Sequence, residues 1–75
     1  MTHKEFRLFF DKKMSVIYPK AEVDSLYAKL IEFALNMSRA EMILKSDQII
    51  EKHSLIKLLE YITRLKKKEP IQYII

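Results

Sequence analysis

Apolar side chains recur at helical rather than alternating spacing along most of this chain. Phe6, Phe9, Phe10 and Met14 share one face of a helix predicted from Thr2 to about Met14. Thr2 and Glu5 stand at capping-box spacing, in which each side chain satisfies the other's backbone N–H. The helix is expected to end near Ser15. Val16, Ile17 and Tyr18 are β-branched or aromatic, and Tyr18 is pushed out of the α region by the Pro19 that follows it. Phe9 and Phe10 are neighbours on this helix and so diverge by about 100°. One of them at most points straight inward, which leaves the other for an interdomain or partner-facing patch.

A second helix is predicted from about Ala21 to Leu35, with a wide stripe of Val23, Leu26, Tyr27, Leu30, Ile31, Ala34 and Leu35. Asn36 tolerates the left-handed conformation and is the natural C′ residue. Ser38 and Glu41 repeat the capping-box spacing and predict a short third helix with Met42, Ile43 and Leu44 on its buried side. After a polar break at Lys45–Gln48, a last helix is predicted to start between Ile50 and Ser54 and to run to about Lys67. Its core-facing stripe is Leu55, Leu58, Leu59, Ile62 and Leu65. Pro70 stops it. The final Glu69–Ile75 run alternates and is rich in β-branched and aromatic residues, so it reads as extended. It either packs on the helices or leads into further polypeptide, and the second is favoured.

The expected architecture is therefore all-α, a small four- to five-helix bundle with an extended C-terminal segment leading toward a missing domain. A chain of 75 residues, 49% apolar and 32% charged, holds one small folded core. The absence of glycine says most about function. Glycine-rich phosphate loops, dinucleotide fingerprints and nucleophile elbows all need backbone that only glycine supplies cheaply. The absence of cysteine removes disulfides and thiolate metal sites. His3 and His53 are fifty residues apart and do not make a metal motif. Nothing here reads as an enzyme that works by itself. No apolar run approaches the roughly 20 residues that span a bilayer, and no signal peptide is present, so the expected location is cytoplasmic.

The formal net charge of +4 permits acidic partners without requiring them. Arg64, Lys66, Lys67 and Lys68 form the main basic cluster. It complements the negative end of the last helix's macrodipole and is also a candidate contact for an acidic partner surface. No aromatic platform accompanies it, so nucleic acid is not expected. Arg39 follows a helix N-cap, where a cation is unfavourable. It is expected either to pair with Glu22, Asp24 or a neighbouring domain, or to contact a partner directly.

The closing run Arg64-Leu65-Lys66-Lys67-Lys68-Glu69-Pro70-Ile71-Gln72-Tyr73-Ile74-Ile75 resembles the junction after the helical N-terminal domain of the bacterial release factor glutamine methyltransferases, the HemK or PrmC family. That junction reads Gly-Glu-Pro-(Leu or Ile)-x-Tyr-Ile-x-Gly after an Arg-rich turn. Leu35-Asn36-Met37-Ser38-Arg39-Ala40-Glu41-Met42 likewise resembles the family's Leu-Gly-(Leu or Ile)-Ser-Arg-x-x-Leu segment. Asp24, Leu26 and Leu30 resemble its second-helix pattern. Lys68 and Asn36 stand where the family has glycine.

The resemblance implies a helical substrate-recognition domain over residues 1–68 and an interdomain linker over 69–75, with Glu69, Pro70 and Tyr73 at the junction. It implies an absent methyltransferase domain that binds S-adenosylmethionine and an Asn-Pro-Pro-Tyr motif that holds the substrate amide. Neither cofactor-binding nor catalytic residues are in this chain, whose only asparagine, Asn36, precedes Met37. The implied partners are a class I peptide chain release factor, methylated on the glutamine of its Gly-Gly-Gln loop, and the chain's own methyltransferase domain. Partner-binding candidates are Arg39, Arg64, Lys66, Lys67 and Lys68. The rival reading is a stand-alone helical protein- or nucleic-acid-binding module.

Overall fold

The computed structural model describes residues 1–74. Five helices follow one another: α1 His3–Met14, α2 Lys20–Leu35, α3 Arg39–Leu44, α4 Lys52–Lys66 and α5 Ile71–Ile74. The described residues contain no strand, only an isolated antiparallel bridge between Thr2 and Ile49. The fold is an all-α small bundle. Helices α1, α2 and α4 pack on one another around Phe6, Phe10, Met14, Leu30, Ile31, Leu58 and Leu65, all essentially inaccessible.

Local rules account for most boundaries. At the start of α1, Glu5 N–H donates to Thr2 Oγ1 at 3.1 Å and Thr2 N–H to Glu5 Oε1 at 2.8 Å, the expected capping box. The other N–H groups left over at this helix start also find partners. His3 N–H donates to the Gln48 carbonyl and Lys4 N–H to the Ser46 carbonyl. The Ile50 N–H donates to the Met1 carbonyl, so the N-terminal residues are stitched to the α3–α4 connection. Asn36 closes α2 at φ 54°, ψ 42°, as its tolerance of left-handed backbone predicts. Phe10 points inward, whereas Phe9 is half-buried with Lys13 Nζ 5.6 Å from its ring centre. The Tyr18 hydroxyl donates to the Leu65 carbonyl at 3.0 Å and fixes the α1–α2 turn against the end of α4.

Three expectations are corrected. Of the expected buried side of α3, Met42 is partly buried against the core, whereas Ile43 and Leu44 are 76% and 82% exposed. At six residues the helix turns only Met42 inward. Its segment is anchored from outside the helix, by Met37 before it and Ile50 after it. On α4, Leu59 lies on the outer edge of the stripe and Tyr61 takes the buried place. The residues from Ile71 to Ile74 form a helical turn rather than an extended run. Proline suits the start of a helix, where its missing N–H has no helical partner, and here its carbonyl accepts the Tyr73 N–H. Ile74 then enters the core and Ile71 packs against it. Burial of these two side chains overrides their β propensity. Ile75, part of the expected extended run, lies outside the described residues.

Candidate functional site

The basic residues singled out from the sequence fall into two regions. Arg64, Lys66, Lys67 and Lys68 lie at the end of α4, and their backbone geometry explains why the chain turns there. Lys68 has φ 60°, in the left-handed region. Its N–H donates to the Leu65 carbonyl at 2.9 Å, and the Glu69 N–H reaches the Arg64 carbonyl at 3.4 Å. These two bonds form a Schellman closure with Lys68 at C′ and Glu69 at C″. The apolar contact that often links C3 to C″ in such closures is replaced by an ion pair. Arg64 grips Glu69 through both Nε and Nη2 (Nη2 to Oε1 3.1 Å) and also donates to the Tyr73 carbonyl at 3.2 Å. The Arg64 guanidinium holds the Glu69 carboxyl below its ordinary value, first by hydrogen bonding and then by charge. Arg64 is thus engaged internally, while Lys66, Lys67 and Lys68 extend into solvent.

Arg39 lies elsewhere. It stands exposed in the first turn of α3, on the rim of a groove of about 520 Å³ bounded by α1, α2 and α3. Tyr27, 5% exposed, and Ala28 lie at its base; Leu8 of α1 and Ile43 of α3 form apolar lips. Lys4, Arg7 and Arg39 supply the positive charge, and Asp24 is the one carboxylate lining the groove.

The expected pairing of Arg39 with Glu22 or Asp24 does not occur, because Asp24 belongs to Arg7. The Arg7 Nη2 contacts Asp24 Oδ1 while its Nε donates to both Asp11 oxygens at 3.0 and 3.1 Å. The same guanidinium lies 4.4 Å from the centre of the Tyr27 ring, a cation–π contact. The Tyr27 hydroxyl is held less acidic than usual, chiefly by its burial. Among the described residues, neither Lys4 nor Arg39 makes an ion pair.

His3 completes the groove. Its Nδ1 is buried with no hydrogen-bond partner among the described residues. Burial, and secondarily the charge of Lys45, lowers its proton affinity below the ordinary histidine value. Sequence reading missed this groove. The Arg7–Asp11 pair at i, i+4 was a visible signal. The meeting of Leu8 with Ile43 depends on how α3 folds back and carries no local signature.

No cluster of metal-ligating side chains occurs among the described residues, and none of their helices is long and apolar enough to cross a membrane. No curated protein and no solved structure matches the chain significantly. A family model described as the PrmC N-terminal domain matches residues 17–75.

Proposed function

The chain belongs to the PrmC N-terminal domain family, and from that premise we propose that it is the recognition domain of a protein-glutamine methyltransferase. In this reading it binds a class I peptide chain release factor in the cytoplasm. It orients the Gly-Gly-Gln loop toward a separate catalytic domain. The family match, which includes the whole Arg64–Tyr73 network, is the observation that carries the reading.

The contribution to catalysis is positional. A domain that holds the acceptor protein beside the active site makes a bimolecular encounter effectively intramolecular and limits its orientations. The closure at the end of α4 suits that role. The Schellman bonds, the Arg64–Glu69 pair and the seating of Ile74 in the core fix the direction in which the chain leaves the bundle.

S-adenosylmethionine is a poor match for the α1–α2–α3 groove. Its ribose diol needs a free acceptor, and Asp24, the groove's only carboxylate, is engaged by Arg7. Its sulfonium would also face Lys4 and Arg39. Cofactor and methyl transfer are therefore assigned to the catalytic domain, and no chemical step to these residues.

The test is a binding titration of the chain against a purified class I release factor, with single-stranded RNA as the competitor class. The expected result is saturable binding to the release factor with a shallow dependence on salt. Binding to RNA alone, with affinity falling steeply against log salt as phosphates are neutralised, overturns the proposal in favour of a nucleic-acid module.

A further inference from the structure

We propose that the groove between α1, α2 and α3 is a docking surface for an acidic, amphipathic segment of a partner protein. One apolar side chain of that segment enters between Leu8 and Ile43, and an adjoining carboxylate is taken by Arg39. The inference rests on the recognition role proposed above only for the identity of the natural partner.

Charge complementarity carries the argument. The groove's own acid is neutralised by Arg7, so its remaining charge is the unpaired positive charge of Lys4 and Arg39. Arg39 is positioned against the local field, in the first turn of α3, where the helix dipole disfavours a cation. No ion pair among the described residues compensates it. An arriving carboxylate would supply that compensation and can be held bidentately by a guanidinium.

The apolar half of the surface is equally unpartnered. Leu8 is 64% and Ile43 76% exposed, and they face the groove from different helices. Apolar lips flanked by charge match an amphipathic segment laid into a groove between helices. At about 520 Å³ the space falls within the range of binding clefts. Nucleic acid is disfavoured, since the Arg7 guanidinium covers the Tyr27 ring and leaves no aromatic face on which a base could stack.

The probe is a fluorescein-labelled helical peptide of leucine and glutamate, with leucines at i, i+3, i+4 and i+7. A sister peptide has lysine in place of every glutamate. The expected result by fluorescence anisotropy is binding of the glutamate peptide only, weakened about tenfold or more by Arg39→Glu. Ile43→Asp, at an exposed position that cannot unfold the core, should weaken it as well. Equal binding of both peptides, binding of neither, or indifference to both substitutions overturns the groove assignment. The same variants are then titrated with a class I release factor. Release-factor binding that survives both Arg39→Glu and Ile43→Asp removes the release factor as the groove's occupant and leaves the recognition role standing. Peptide binding with the expected mutational pattern supports the groove, even where the release factor fails to bind and the recognition role falls.

Discussion

The two cationic regions of this molecule differ in what their charges touch. At the end of α4, Arg64 is engaged by Glu69 and by the Tyr73 carbonyl, both within nine residues of it in sequence, while Lys66, Lys67 and Lys68 extend into solvent. In the α1–α2–α3 groove, Lys4 and Arg39 have no ionic partner among the described residues and sit beside exposed Leu8 and Ile43. The first arrangement orders the chain; the second leaves surface available to another molecule. A cluster of basic residues in the sequence is thus a poor guide to binding. What matters is which unpaired cations folding leaves beside exposed apolar side chains in a groove, as it does for Lys4 and Arg39.

The largest expected effect breaks the comparison by removing what both regions share. Phe10 is fully buried, and its ring meets Tyr27 edge-on at 5.2 Å. Phe10→Ala should cost about 3–5 kcal/mol, the loss of a buried aromatic plus the cavity left behind. A domain of this length has about 4–11 kcal/mol in total. Urea denaturation should therefore show a partly or wholly unfolded variant. A shift in midpoint below about 1 kcal/mol equivalent would mean that the groove floor is not built on this core.

A smaller change sharpens the junction side. Lys68 holds φ 60°, a conformation that costs a side-chain-bearing residue roughly 1–2 kcal/mol. Lys68→Gly removes that cost but adds freedom to the unfolded chain, so a net gain of about 1 kcal/mol is expected. Lys68→Ala keeps the Cβ and should gain far less. Equal stability of the glycine and alanine variants in thermal denaturation would show that the Schellman closure is unstrained.

Acid separates the regions by titration. Glu69 is held below the ordinary 4.5 by Arg64, and Glu5 by the backbone and side chain of Thr2. The folded state binds these protons less readily than the unfolded chain. Their contribution is present above pH 4.5 and is lost as pH falls through the lowered folded values. His3, lowered from 6.5 mainly by burial, acts earlier: stability begins to fall below pH 6.5 because the unfolded chain takes its proton more readily. Stability should be flat just above neutrality and decline in two steps on acidification. His3→Gln should remove the first step and Glu69→Gln part of the second. An unchanged profile in either variant, followed by urea midpoint against pH, refutes the corresponding assignment.

How much of this could be read before folding follows from the range of the interactions. The capping boxes at Thr2 and Ser38 and the left-handed stop at Asn36 are set within a few residues, and they were legible. Lys68 was visible as an odd residue in a glycine position, although its backbone angle was not. The exposure of Ile43 and Leu44 was illegible, because it depends on Met37 and Ile50 holding the segment from either side. The helical turn at Ile71–Ile74 was misread for a related reason. Two isoleucines favour strands by themselves but helix here, where the turn delivers Ile74 to the core. Arg39 was recognised as misplaced, yet its supposed partner Asp24 had already been taken by Arg7, a competition that only the packing of α1 on α2 decides.

The smallest stability effect separates the two regions most cleanly. Arg39→Glu replaces an unfavourable cation in the first turn of α3 with a favourable anion, beside the Ser38–Glu41 capping box. Interactions of this kind contribute about 0.3–1 kcal/mol at an exposed helix end. Because α3 buries no residue of its own, only part of that gain should reach global stability. A slight rise in urea midpoint is expected, together with loss of acidic-peptide binding. A residue kept for the fold would move both quantities downward on substitution. Opposite movement means that this arginine costs stability and is retained for what it contacts. A fall in stability would mean instead that Arg39 supports α3 in a way its exposed position does not account for.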